Sequence, residues 1–200
     1  MTLVVLLLVL FVGGLLALVA GCWRASAARW ISIATFVIDL AIGLYVWIVH
    51  ADALTLTQTG GWIERLQVPW IPRFGIHFQL GLDGRGLALI LLSLFLGLVS
   101  VIASWREISE HVGFFHLNLI WTLAGAVGVF MALDLFLFFA FWEAMLVPMY
   151  LLIAIWGHEN RSYAALKFFL FTFGGGLLML AAIIALVVIH QADTGTLTFD

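Results

Sequence analysis

A glutamate, Glu143, lies near the middle of "LDLFLFFAFWEAMLVPMYLLIAIWG" (133–157), an almost unbroken apolar run long enough to cross a bilayer. Pro148 follows five residues later. An ionised carboxylate at mid-bilayer costs at least ~2.5–3.5 kcal/mol on insertion scales, so a group placed there needs a proton or a nearby cation. Pro148 has no N–H and leaves the Ala144 carbonyl, four residues back, without its helical donor. The helix can bend at that point, and the freed carbonyl can hold a water beside Glu143. A carboxylate, a loosened turn and a water are the parts of a proton path. The plainer reading is a neutral Glu bonded to a neighbouring helix, but ionisable residues inside a membrane default to functional hypotheses.

Other polar residues in apolar surroundings carry weaker signals. Asp39 also falls mid-span, with no basic residue or proline near it in sequence, and reads most simply as a neutral Asp bonded between helices. Asp134 sits between two apolar runs, where a solvated or helix-capping role outweighs a place in a proton relay. Lys167 lies about a turn inside the last run. Its long stem lets it snorkel to the interface, or it is a buried cation that tunes a carboxylate. His116 is similarly shallow and reads as a satisfied interfacial histidine rather than a proton carrier. "REISEH" (106–111) reads as a solvated turn, and Gly125, Gly128 and Gly174–Gly176 as patches for close helix packing.

The elements that must position these groups follow from composition. The chain is 65% hydrophobic and 10% charged over 200 residues, with mean hydropathy +1.21. A soluble domain of this length needs a charged shell that this sequence does not supply. Apolar runs occupy roughly 2–22, 30–50, 86–104, 113–132, 134–156 and 163–190. Lipid satisfies no backbone N–H or C=O, so runs of this length are expected as helices. The fold class is therefore all-α and polytopic, with six transmembrane helices. The first run has no basic residue before it and no clear small-x-small cleavage site, and is expected to be a retained helix.

Three regions result: two N-terminal helices (1–50), an outer loop (51–85), and four further helices (86–200). In the loop, "FGIHFQLGLD" alternates. Phe74, Ile76, Phe78, Leu80 and Leu82 share one face; Gly75, His77, Gln79, Gly81 and Asp83 share the other. That period of two predicts a β-strand with one covered face, reached through an extended "VPWIPRF" and paired with something else. A neighbouring subunit could cover it. Arg24, Arg29, Arg106, Arg161 and Lys167 fall on one side of the membrane. Arg65, Arg73 and Arg85 fall on the other, all in the long loop. Basic residues favour the cytoplasmic face, so the N-terminus and Asp200 are expected outside. The single cysteine, Cys22, excludes an internal disulfide and any four-cysteine metal site. No G-x-G-x-x-G motif follows a strand and no P-loop is present, so no nucleotide site is visible. His50 and His190, at outer helix ends, could pair on a haem, though terminal histidines are usually interfacial.

Three stretches carry a resemblance: "FFAFWEAMLVPMYLLIAIWGH" (138–158), "GFFHLNLIWTLAGAVGVF" (113–130) and "PWIPRFGIHFQLGLDG" (69–84). They closely resemble the antiporter-like M subunits (chain 4) of proton-pumping NADH:quinone oxidoreductase, respiratory complex I. The W-E-x-M-L-V-P-M-Y pattern is the most specific part. Subunits of multi-subunit cation/proton antiporters and of membrane hydrogenases look similar, but less so. The resemblance implies a protein of about fourteen helices containing two inverted five-helix repeats, of which this chain is expected to be the N-terminal portion. It implies that Glu143 is the fifth-helix glutamate needed for proton pumping, paired with a lysine on a later, broken helix. Glu107 matches a cytoplasmic-side glutamate of lesser weight, and the outer strand matches a hairpin that contacts neighbouring subunits. It implies no redox cofactor in this subunit, no direct NADH binding, no nucleic acid, and a bacterial inner membrane (or a mitochondrial one). Arg85, in "DGRGL", stands where the family usually has an apolar residue.

The function expected is therefore proton translocation within a respiratory quinone-reducing complex. The supporting residues are Pro148, Lys167, Glu107, His116 and Asp134. A cation/proton antiporter or membrane hydrogenase subunit, a haem-binding protein and a purely structural anchor are the alternatives.

Overall fold

The computed structural model describes residues 1–50 and 62–200. The part of the expected outer loop at 51–61 lies outside the described residues. Six helices among the described residues are long and apolar enough to cross a membrane. They are α1 (Thr2–Gly21), α2 (Ala25–Val49), α3 (Gly84–Ala103), α4 (Val112–Met131), a fifth span made of α5 (Leu135–Ala144) and α6 (Leu146–Trp156), and α7 (Arg161–Thr194).

Two helices overrun the expected ranges. α2 starts five residues before 30, and α7 runs four residues past 190 to a left-handed Gly195. Hydropathy marks only the hydrocarbon crossing, whereas backbone hydrogen bonding carries a helix on into the polar flank. At the start of α2 that flank is anchored. The Arg29 guanidinium donates to the Ile108 carbonyl at 2.8 Å and lies 5.5 Å from the Trp105 ring centre.

α4 is the hub, packing against α1, α2, α3, α5 and α6, while α7 closes on α5 and α6. The main core fills the α1–α4 bundle with fully buried Leu10, Phe36, Leu94, Ile120, Ala124 and Val127. Outward faces of α2, α3 and α7 expose large apolar side chains such as Ile48, Phe95 and Leu178, which suits surfaces turned toward lipid. Helix ends alternate in space. One end gathers 22–24, 104–111 and 157–160; Arg29 meets Ile108 there, and Trp156 donates its indole N–H to the Glu110 carbonyl. The opposite end gathers the β element, 132–134 and 195–200, tied by Leu133 N–H to Gln79 and Leu135 N–H to Phe199.

The expected strand is present as β2 (Ile76–Leu82), and its partner is β1 (Glu64–Ile71), antiparallel, in register from Glu64↔Leu82 to Pro69↔His77. "VPWI" is thus part of a strand rather than an extended approach, and Pro72–Phe74 form one 3-10 turn ending at a left-handed Gly75. The predicted two-faced pattern needs correction. Ile76, Leu80 and Leu82 are buried, yet so are Gln79 and Gly81 on the other face, while Phe74 is exposed in the turn. The chain itself covers both faces. Ile76 packs with Ile183, Val187 and Phe199, and Leu133 lies against Gly81. The exposed strand is β1, with Val68 and Trp70 outward.

Candidate functional site

The fifth span owes its start to Asp134. Its Oδ1 accepts from the N–H groups of Phe136 (2.9 Å) and Leu137 (3.0 Å), capping α5. Its Oδ2 accepts from the His77 N–H at 2.9 Å, which ties the helix to β2. Asp134 is only 1% exposed, so it is a buried cap and not a solvated one. Nine residues on, about 13 Å along the helix axis, stands Glu143.

Here the span has a joint. α5 ends at Ala144 and α6 starts at Leu146, while Met145 between them keeps right-handed backbone angles (φ −79°, ψ −12°). The Met145 N–H is shared between the carbonyls of Phe141 and Glu143. Pro148 therefore sits in the first turn of α6, where an N–H would lack an intrahelical acceptor in any case. The bend expected within one continuous helix is resolved as two helices meeting at a proline-compatible joint. Gly125 and Gly128 of α4 let this joint approach closely. A Cβ at Gly125 would come 2.8 Å from the Met145 Cβ, and one at Gly128 would strike the Phe141 ring.

The Glu143 side chain points to α7. Its Oε1 is sealed from solvent and has no hydrogen-bond partner among the described residues. It lies against Gly176, where a Cβ would collide with the carboxylate. A shallow pocket of about 270 Å³ lined by Trp142, Phe171, Thr172, Gly175, Gly176 and Met179 adjoins it. A hydrogen bond from Glu143 to a neighbouring helix is thus absent among the described residues.

The remaining candidates lie elsewhere. Lys167 is exposed, with its Nζ 5.9 Å from the centre of the Tyr163 ring. It is nine residues from Gly176, about 13 Å along α7, so the structure does not bring it to Glu143. Glu107 is exposed at the other end of the molecule, beside a cleft of about 640 Å³ that Ser104, Glu110, Trp156, His158 and Arg161 also line. His116 is one turn into α4, 1% exposed, edge-on to Phe115, and its Nδ1 has no partner among the described residues. It is buried and unsatisfied there, unlike the interfacial histidine expected. Asp39 is fully buried in α2, and neither carboxyl oxygen has a hydrogen-bond partner among the described residues. The interhelical bond expected for it is not formed among the described residues. The residue that the sequence did not single out for chemistry is Gly176; the triple glycine marked it, but as helix packing. Gly174 and Gly175 meet nothing within 4 Å among the described residues.

Fold and site together define a polytopic helical membrane protein with a carboxylate held at a broken helix. The sequence family described as NADH:quinone oxidoreductase/Mrp antiporter, transmembrane region, matches residues 132–200. NADH-quinone oxidoreductase subunit M of Escherichia coli (strain K12) is 46% identical over 208 residues, covering 98% of this chain and 40% of that protein. Among solved structures, respiratory complex I from Thermus thermophilus with bound NADH matches with a TM-score of 0.74 at 26% identity, covering 100% of this chain and 38% of that one. The Mrp complex from Dietzia sp. DQ12-45-1b shares the fold, with a TM-score of 0.75 at 23% identity over 98% of this chain and 20% of that one. The chain belongs to the family of antiporter-like M subunits of NADH:quinone oxidoreductase. It spans about two-fifths of the length of the curated relatives it matches.

Proposed function

We propose that this chain forms part of a proton-translocating membrane subunit of a respiratory NADH:quinone oxidoreductase, with Glu143 carrying the proton. The observation that carries the reading is the Glu143 carboxylate at mid-span, beside a helix joint, with one oxygen sealed and unpartnered. A carboxylate in lipid is costly as an ion, so a cation that approaches or withdraws would switch it between holding and releasing a proton. We infer that this cation is supplied by a part of the subunit other than these helices, because Lys167 points away. The Met145 joint gives water a route to the carboxylate, and Pro148 keeps that joint from healing into a regular helix.

In this reading the subunit carries no redox cofactor and does not bind NADH. NADH oxidation and quinone reduction take place in partner subunits of the complex. The exposed β1 residues Val68 and Trp70, with Phe74 of the turn, provide an apolar outer surface for a neighbouring membrane subunit. The location is the inner membrane of a bacterium. Asp134 serves as the cap of α5, while Glu107 lines the cleft at the inner end.

The test is proton pumping in sealed vesicles that contain the assembled complex. Glu143→Gln keeps the shape and removes the titratable group. It should abolish most pumping and coupled quinone reduction while leaving assembly intact, and Glu143→Asp should retain part of both. Wild-type pumping by Glu143→Gln would refute the assignment. The shared fold with the Mrp complex favours a second reading, a subunit of a cation/proton antiporter. Purification without iron–sulfur partner proteins would favour it.

A further inference from the structure

We propose that Gly176 of α7 is a positioning residue for Glu143, a notch without a side chain that sets where the carboxylate stands. This rests on the reading of Glu143 given above. Gly174, Gly175 and Gly176 follow one another on α7, yet only Gly176 is buried against anything. The three atoms nearest a Cβ there all belong to one carboxyl group: Glu143 Oε1, its Cδ at 2.9 Å and its Oε2 at 3.5 Å. No helix backbone or apolar side chain is among them. That sets Gly176 apart from Gly125 and Gly128, whose nearest neighbours are Met145 and Phe141. Those two glycines bring helices together; Gly176 makes room for an acid.

The consequence is geometric. α5 ends one residue after Glu143, so the carboxylate extends from the last turn of a short helix, next to the joint at Met145. With Oε1 set into the notch and no hydrogen bond to fix it among the described residues, the missing Cβ of Gly176 is what permits this rotamer. Any larger residue must drive the carboxylate to another rotamer or push α7 away from α5. Either movement changes the distance from Glu143 to the cation that controls it. A displacement near 1 Å at a reacting group costs on the order of 100-fold in rate.

The experiment uses the assembled complex in sealed vesicles, with pumping measured against subunit content. Gly176→Ala should lower pumping roughly tenfold to 100-fold. Gly174→Ala makes the same chemical change in α7 where nothing lies within 4 Å, and should pump as wild type. The decisive variant is Gly176→Ala combined with Glu143→Asp. The shorter acid withdraws from the added methyl, so the double variant should pump better than Gly176→Ala alone, although Glu143→Asp by itself is impaired. If Gly176→Ala fails to assemble, the same pairing should restore assembly. Equal losses in Gly174→Ala and Gly176→Ala would assign the effect to stiffening of α7 and overturn the proposal, as would a double variant no better than the two losses combined. Loss of pumping in Glu143→Gln with none in Gly176→Ala would sink this inference alone. Normal pumping in Glu143→Gln would instead sink the reading on which it rests.

Discussion

Replacing Asp134 by alanine removes three hydrogen bonds at once, and the structure allows its cost to be worked out. The carboxylate caps α5 through the N–H groups of Phe136 and Leu137 and holds β2 through the His77 N–H, all at 2.9–3.0 Å. Loss of an N-cap typically costs ~0.5–2 kcal/mol. Loss of a hydrogen bond to a charged acceptor costs a further ~1.5–3 kcal/mol, more so when the donor stays buried. Asp134→Ala should therefore destabilise the subunit by roughly 2–5 kcal/mol. Asp134→Asn keeps one oxygen for the cap but can turn its amide N–H₂ toward the His77 N–H, so it should recover about half of that loss. The assay is SDS titration of the full-length subunit in bicelles, followed by tryptophan fluorescence. The expected order of stability is wild type, then Asp134→Asn, then Asp134→Ala. An alanine variant within ~0.5 kcal/mol of wild type, the range of ordinary surface changes, would refute the capping argument. If Asp134→Asn lost pumping with its stability unchanged, Asp134 would become a relay member rather than a cap.

Two further outcomes follow from the same architecture. With the exposed Cys22 replaced by serine, cysteines introduced at Arg73 and Arg161 should react with a membrane-impermeant maleimide from opposite sides, Arg73→Cys from outside; labelling of both from one side would break the topology. Asp39→Leu should raise stability by about 1–3 kcal/mol, because it removes a buried carboxyl that has no hydrogen-bond partner among the described residues, and a destabilised Leu variant in the same titration would refute this.

The six spans were legible because lipid leaves the backbone a single option, so long apolar runs report helices directly. Their ends were less legible, since α2 and α7 continue where hydropathy has already fallen. The alternation at 74–83 correctly announced a strand, but its reading as one covered face failed. In this β element Gln79 is buried too, its amide donating to Asp200 at 3.2 Å. A period of two identifies which residues share a face; it does not say whether a polar face has found a partner inside the chain. Asp134 shows the same limit. Its position before an apolar run suggested a cap, but the third bond, to His77, crosses 57 residues and follows only from how β2 docks on α5.

Glu143 and Gly176 mark where sequence reading stops and packing takes over. Glu143 stood out because a charge inside an apolar run is expensive wherever it points. Gly176 did not, because a run of glycines on a membrane helix is equally consistent with a neighbouring helix, a ligand or nothing at all. The three glycines divide along those lines: 174 and 175 face open space, and 176 faces an acid. What separates them is the rotation of α7 against α5: successive residues of a helix point about 100° apart, so one glycine of the three meets Glu143. α5 ends just past Glu143, so the acid is carried by the last turn of a short helix. The glycine opposite then gives the carboxylate a defined place by shape. A carboxylate that must move a proton needs both conditions, freedom for water to enter and a fixed place to stand, and here two different helices supply them.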